Sequence, residues 1–304
     1  MDAEIGMTGL LGLFFGFWEA SAAASDLSQD IASVAGGVLD PHGPSAAGNA
    51  QILTNSIVIM LIIVVPTILA TLAFGWWFRA SNKRATYLPN WAHSGHIELI
   101  VWGIPLLVVL FLSGVIWIGS YELDPARPIA SRGRPIEIQV VSLDWKWLFI
   151  YPEQGVASVN TLALPVDATA HFSLTSGSVM NMFFVPQLGS MIATMNGMVT
   201  QLHLRADKIG DYYGQSAQFS GSGFSDMHFT LKALSQENFN NWVVQTRQSS
   251  LKLDGETYLN LAHKREASAP ILYGSIDEQL FEKIATRQLP IEENTSDHSI
   301  SFTQ

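Results

Sequence analysis

The sequence predicts a two-helix membrane hairpin, then an all-β sandwich or barrel, then a short helical extension. Two long stretches without a charged residue, at 52–78 and 99–121, predict the hairpin. Short β-branched or alternating runs separated by turn residues after Pro125 predict the β domain, and helical spacing beyond Gln236 predicts the extension. The composition agrees. The chain of 304 residues is 48% hydrophobic and 14% charged, where a soluble domain carries about a quarter charged residues. Its net charge of -10 argues against nucleic acid as a partner. There is no cysteine. That excludes disulfides, thiolate zinc sites, iron–sulfur clusters, attached c-type haem and a cysteine nucleophile.

The two uncharged stretches each exceed the roughly 20 apolar residues that a helix needs to cross a bilayer. Pro66 and Pro105 lie inside them, which membrane helices tolerate better than soluble ones. Trp76, Trp77, Trp102 and Trp117 lie toward the ends, where an aromatic belt belongs. The loop between them carries Arg79, Lys83 and Arg84. Residues 1–51 contain no Lys or Arg, but do contain Asp2, Glu4, Glu19, Asp26, Asp30 and Asp40. The positive-inside rule therefore puts loop 79–96 in the cytoplasm and both termini outside.

Four regions follow. Residues 1–51 form an N-terminal segment with a signal-like start, because the short apolar run 7–18 precedes Ser21-Ala22-Ala23-Ala24-Ser25. Residues 52–121 are the transmembrane hairpin. Residues 122–245 are the β domain, with strands such as 136–141, 171–175 and 198–204 between turns at 152–155, 176–178, 207–210 and 220–223. Residues 246–304 are the extension. Within and beside it, 236–248 and 275–287 show helical periodicity, and 292–304 is a polar tail.

Two motifs carry a family resemblance. Ser178-Val179-Met180-Asn181-Met182-Phe183-Phe184-Val185-Pro186-Gln187-Leu188-Gly189 and the stretch 213–224, from Tyr213-Gly214-Gln215-Ser216 to Gly223-Phe224, resemble subunit II of haem-copper terminal oxidases. So does Glu98-Leu99-Ile100-Val101-Trp102, which opens the second span; the likeness runs from about Leu39 to Val244. It implies that the β domain is cupredoxin-like. In relatives that oxidise cytochrome c, such a domain holds a dinuclear copper centre. The ligands there are two cysteines, a glutamate carbonyl between them, two histidines and a methionine.

On this chain the cysteine positions hold Ser216 and Ser220, and the glutamate position holds Gln218. The histidine positions hold Asn181 and Phe224, and Met227 alone keeps the ligand type. A serine hydroxyl is a hard, protonated and poor substitute for a bridging thiolate. The resemblance therefore implies a vestigial site without copper, and bulky Phe224 points to a filled interior. The stretch 144–155, from Asp144-Trp145-Lys146-Trp147 to Gln154-Gly155, looks closest to the quinol-oxidising branch, the cytochrome o type. Many members of that branch carry a lipidated cysteine before Leu39-Asp40-Pro41. None is present here, so anchoring is expected to fall to the two spans.

Glu98 stands at the cytoplasmic threshold of the second span. Ionisable groups at membrane depth often mark proton routes, and the resemblance associates this position with proton uptake into a channel of subunit I. An interfacial carboxylate reaching water is the plainer alternative. His93 and His96 read as solvated loop residues that could partner Glu98. His171, His203 and His228 read as structural. Trp145 and Trp147 alternate with Lys146, which predicts both indoles on one side of a strand, packed in the core.

The expected function is a non-redox subunit II of a proton-pumping ubiquinol oxidase that reduces oxygen to water. No catalytic residue and no metal are expected in this chain; haems, copper and ubiquinol are expected in the partner subunit. The expected partners are subunit I, subunit III, a small subunit IV and membrane lipid, with no soluble cytochrome c, in a bacterial inner membrane. An electron-transfer metalloprotein and a tethered small-ligand module are the competing classes. The missing cysteines weigh against the first, and Phe224 against the second.

Overall fold

The computed structural model describes residues 37–86, 93–130, 133–264 and 269–289. The signal-like start and the polar tail lie outside them. Among the described residues, 37–40 and Gly48–Leu123 form one unit, and Pro41–Ala47 with the residues from Asp124 onward form a second.

The first unit holds α1 (Pro44–Trp77) beyond its opening turn and α2 (Gly95–Glu122). Both are long and apolar enough to cross a membrane. The 34 residues of α1 extend for roughly 50 Å at 1.5 Å per residue, more than the ~30 Å hydrocarbon core. The helix starts at Pro44 rather than at the apolar boundary, Ile52. Proline suits the first helical turn, where its missing N–H costs nothing, and Ser45–Gln51 continue the helix with small or polar residues. Large side chains are bared to the surroundings, Trp102 by 77%. Water would penalise that surface and lipid or a neighbouring helix would not. Glycines permit close approach: a Cβ on Gly119 would lie 2.4 Å from Ile52, and one on Gly48 2.6 Å from Leu123. Thr54, Thr67 and Ser113 return their hydroxyls to carbonyls one turn back, on Ala50, Ile63 and Val109.

The second unit is a sandwich. Its larger sheet comprises β1 (Ile136–Leu143), β2 (Lys146–Tyr151), β3 (Val156–Val159), β5 (Thr169–Ser176), β8 (Thr200–Arg205) and β12 (Ile271–Tyr273), in the order β12-β3-β2-β1-β5-β8. The facing sheet comprises β4 (Thr161–Pro165), β6 (Asn181–Phe184), β7 (Ile192–Thr194), β9 (Gly210–Ser216) and β10 (His228–Leu234), in the order β4-β10-β9-β6-β7. Each sheet contains one parallel pair among antiparallel ones. Ile138 lies opposite Phe172 in β1·β5, and Leu231 opposite Leu162 in β4·β10. This is the cupredoxin-like, two-sheet arrangement that the sequence predicts. Aromatic rings fill the space between the sheets: Phe183 stacks on Phe229 at 5.1 Å, and Trp147 meets Phe183 edge-on at 5.4 Å.

The other face of the larger sheet is covered as well. Val141, Leu143, Leu148 and Ile150 form a second core with Tyr258, Leu261, Leu280 and Phe281 of the extension. All of β2 is therefore buried, with Trp147, Phe149 and Tyr151 in one core and Leu148 and Ile150 in the other. Even Lys146 is only 1% exposed. Its ammonium donates to the carbonyl of Leu261 at 3.0 Å and to that of Lys264, at the C-terminal end of a helix. A cation is favoured there by the helix dipole and the unpaired carbonyls.

The extension differs from the predicted pair of helices. The first forms, as α3 (Gln236–Arg247), capped by Ser235, which accepts the Asn238 N–H. Next comes a helix that was not predicted, α4 (Gly255–His263), capped by Asp254 on the Thr257 N–H at 3.0 Å. That bond holds the Asp254 carboxyl below the usual range. Within 275–287 only α5 (Leu280–Ala285) is helical. Ser275–Ile276 is instead strand β13, parallel to β11 (Lys252–Leu253), because Leu253 and Ile276 join the second core.

Trp145 is likewise not on a strand. It occupies the tight turn joining β1 to β2, at φ +60. Such a turn needs a left-handed residue, which costs a non-glycine side chain about 1 kcal/mol or more.

Finally, Pro41–Ala47 packs with the sandwich although it precedes the spans in sequence. His42 N–H donates to Gln187 O and His42 O accepts from Asp207 N–H, both at 2.8 Å. The His42 ring bonds the Tyr212 hydroxyl at 3.1 Å.

Candidate functional site

Three strand ends meet at one end of the smaller sheet: the start of β6, the end of β9 and the start of β10. They bring together Asn181, Ser216 and Met227, all buried. Ser216 faces two acceptors, Asn181 Oδ1 at 3.1 Å and the Gln218 carbonyl at 3.3 Å. The Ser220 hydroxyl points at the Met227 sulfur, 3.9 Å away. Asn181 donates through Nδ2 to Val179 O at 3.2 Å. Five of the six positions predicted to correspond to copper ligands thus converge.

Phe224 does not fill the interior, contrary to the expectation. It opens the 3-10 turn Phe224–Asp226, which aims its half-buried ring at Phe219, 5.7 Å away between centroids and itself 75% exposed. Met227 and Asn181 occupy the interior at this end.

The loop from 217 to 226 is closed by backbone bonds. Ser216 N–H donates to Met227 O, Ala217 N–H to Met182 O, and Phe224 N–H to Gly221 O, at 3.0–3.1 Å. Trp145 lies against it and donates Nε1–H to Ser220 O at 3.4 Å. A Cβ on Gly223 would sit 2.3 Å from that indole, and Gly221 has φ +114, so both positions need glycine.

Chemically, these groups hydrogen-bond to one another. Hydroxyls and an amide already turned inward, with a single thioether, do not fit a pair of copper ions, which require soft thiolates. Among the described residues no group of three or more His, Cys, Asp or Glu is placed to hold a metal.

A polar row behind the site was not read from sequence. The hydroxyls of Ser142 and Thr194 bond at 2.8 Å, and Thr194 donates to Asn181 O at 3.2 Å. Its trace in the sequence is a serine after the apolar pair Val140-Val141 and a threonine after Ile192-Ala193.

Glu98 lies in the first turn of α2 in the other unit, and its side chain is 53% exposed. His93 Nδ1 approaches Glu98 Oε1 to 2.7 Å. A carboxylate is favoured at a helix N-terminus. His96 is exposed on the same turn. On the sandwich, His228 stacks on Tyr213 at 5.8 Å, and His171 stacks on His203 at 4.6 Å.

Comparison with known proteins gives a consistent picture. The family model described as cytochrome c oxidase subunit II, periplasmic domain, matches residues 136–234. The chain is similar to ubiquinol oxidase subunit 2 of Acetobacter aceti, 52% identical over 231 residues that cover 75% of each chain. It is 43% identical over 270 residues to cytochrome bo(3) ubiquinol oxidase subunit 2 of Pseudomonas aeruginosa, covering 88% of this chain and 82% of that one. Among solved structures, the periplasmic domain of cytochrome oxidase subunit II of Bradyrhizobium japonicum aligns at 22% identity and TM-score 0.36. That alignment covers 38% of this chain and 96% of that one.

Proposed function

Since the chain belongs to the subunit 2 family of the ubiquinol oxidases, and is thus a subunit of a haem-copper enzyme whose catalytic centre lies in another chain, we propose that it is the non-redox subunit II of that enzyme. The complex pumps protons, oxidises ubiquinol and reduces oxygen to water. Haems, copper and the quinol belong to subunit I; subunit III, a small subunit IV and lipid complete the surroundings. This chain seals and steadies subunit I with its hairpin. The sandwich stands on the periplasmic side of the inner membrane, with both termini outside.

One observation carries the reading. Where a cytochrome c-oxidising relative needs thiolates and imidazoles, Ser216 is bonded to Asn181 and faces the Gln218 carbonyl, and Ser220 points at the Met227 sulfur. An electron arriving from a soluble donor would meet no acceptor in such a cluster. Electrons delivered by a membrane quinol have no need of one. The vestigial assignment of Asn181, Ser216, Gln218, Ser220, Phe224 and Met227 is part of the same proposal.

Glu98 is proposed as the proton uptake point. Its exposure and its contact with His93 support the reading, since a carboxylate and an imidazole in contact can collect protons from water and exchange them.

The test is oxygen uptake by the purified native complex with ubiquinol against reduced cytochrome c, with metal analysis and haem extraction. Faster turnover with quinol is expected. Faster turnover with cytochrome c, or near-infrared absorbance from a mixed-valence copper pair in this chain, overturns the proposal.

A further inference from the structure

Strand register lines up three titratable side chains on the outer face of the larger sheet. Glu137 of β1 lies opposite His171 of β5, which lies opposite His203 of β8. Their neighbours Ile138, Phe172 and Leu202 face the inner core, so these three point the other way. His171 Nδ1 meets Glu137 Oε2 at 2.6 Å. The two imidazoles stack at 4.6 Å with 22° between their planes. His203 is 8% exposed, and its buried Nδ1 makes no hydrogen bond.

β8 is the edge strand of its sheet, and the segment 124–130, which leads from α2 toward β1, is fastened to it. His203 N–H donates to Pro125 O at 2.9 Å, and Arg205 donates through a guanidinium nitrogen to Ala130 O at 3.2 Å. The strap thus covers an edge that would otherwise present unpaired backbone groups. One of these fastenings is the backbone of the buried histidine.

We infer that the His171–His203 stack makes the seating of this strap sensitive to protons: a neutral His203 holds it, and protonation of His203 loosens it. A charge on His203 would be nearly buried and stacked on a second imidazole. Glu137, the anion nearest the stack, is already engaged by His171. Other charged groups stand on the elements packed around it. Arg205 on β8 bonds Asp207 at 2.8 Å. On the strap, the Asp124 carboxylate accepts the Ala126 N–H at 3.0 Å, and Arg127 follows. α5, which packs against β5, carries Glu282 and Lys283, the latter bonded to Asp277.

Burial, and then the charge of His171, hold the His203 imidazole below its ordinary value; the Pro125 and Ala126 backbones and Glu137 oppose this only in part. The sign follows. Because the value is lowered in the seated state, seating is complete above the ordinary histidine value of about 6.5 and is lost as pH falls below it. With the sandwich outside, as proposed above, the protons sensed are external. The fastening itself does not depend on that placement.

Amide hydrogen exchange of the full chain in detergent, corrected for intrinsic rate, tests this between pH 8 and 5. One-proton linkage limits the change to about tenfold per pH unit. Protection of the His203 amide is expected to fall several-fold from pH 7 to 5, while the β1 and β2 amides stay protected. His203→Phe keeps the stacked ring without the proton and should flatten the profile. His171→Phe removes the neighbouring charge and should make the fall measurably shallower, which keeps the test decisive if the first variant does not fold. A flat wild-type profile, or an unchanged fall in either folded variant, overturns the inference.

Discussion

Ser216 donates its hydroxyl to Asn181 Oδ1 across 3.1 Å, joining the end of β9 to the start of β6. Both residues stand at positions that the family resemblance aligns with metal ligands. A hydrogen bond here makes the connection that a metal ion makes in a copper-bearing relative. With the backbone bonds closing the loop, it supports a site whose shape outlasted its chemistry.

If the shape is retained, the ligands can be put back. Asn181→His, Ser216→Cys, Gln218→Glu, Ser220→Cys and Phe224→His together should yield a chain that binds copper stoichiometrically and absorbs in the near infrared. Phe224 is the demanding position, because its ring now faces Phe219. Copper titration of the purified variant decides the matter: no stoichiometric uptake means the loop has drifted in form.

Glu98→Gln should slow quinol-driven oxygen reduction several-fold while assembly and haem content stay normal. The amide keeps the shape but cannot carry and release a proton. A several-fold loss corresponds to roughly 1 kcal/mol of barrier. Water and His93 offer a bypass, so inactivation should be partial. Glu98→Ala should behave alike, and full activity in both would leave Glu98 an interfacial carboxylate.

Lys146→Met should destabilise the sandwich by about 1–3 kcal/mol, the range for leaving buried acceptors unpaired. The thioether chain fills similar space but leaves the carbonyls of Leu261 and Lys264 without their ammonium. Denaturant unfolding of the full chain, followed by tryptophan fluorescence, measures it. A change within a few tenths would show that the ammonium contributes little.

Gly43→Ala should detach Pro41–Ala47 from the sandwich. A Cβ at Gly43 would lie 2.3 Å from the Arg205 carbonyl oxygen, a backbone atom with little freedom to yield. Overpacking of this kind costs about 1–3 kcal/mol. Faster exchange of the His42 amide, now bonded to Gln187 O, is the expected readout, and unchanged exchange contradicts it.

The hairpin was legible because apolar length is a local property, and the sandwich because turn residues punctuate its strands. The convergence of Asn181, Ser216 and Met227 was legible only through the family motif, since no periodicity links them. Trp145 misled because strand alternation ignores the turn that Leu143 and Lys146 close around it. α4 went unread because its nine residues give only about two and a half turns; its signals were the Asp254 cap and the short stripe Tyr258, Leu261 and Ala262. Ser275–Ile276 read as helix because a two-residue strand leaves no period to detect.

The family match ends at residue 234, but the strand at the centre of the sandwich is owned by two cores. Cutting the chain at that boundary would leave Leu148 and Ile150 facing solvent, because their cover comes from Leu253, Tyr258, Leu280 and Phe281. The smallest piece able to fold alone is therefore longer than the segment that kinship outlines, and runs at least through α5. Relatives with shorter tails must shield the same strand by some other means, so the length of the tail and the polarity of that strand's outer face should vary together.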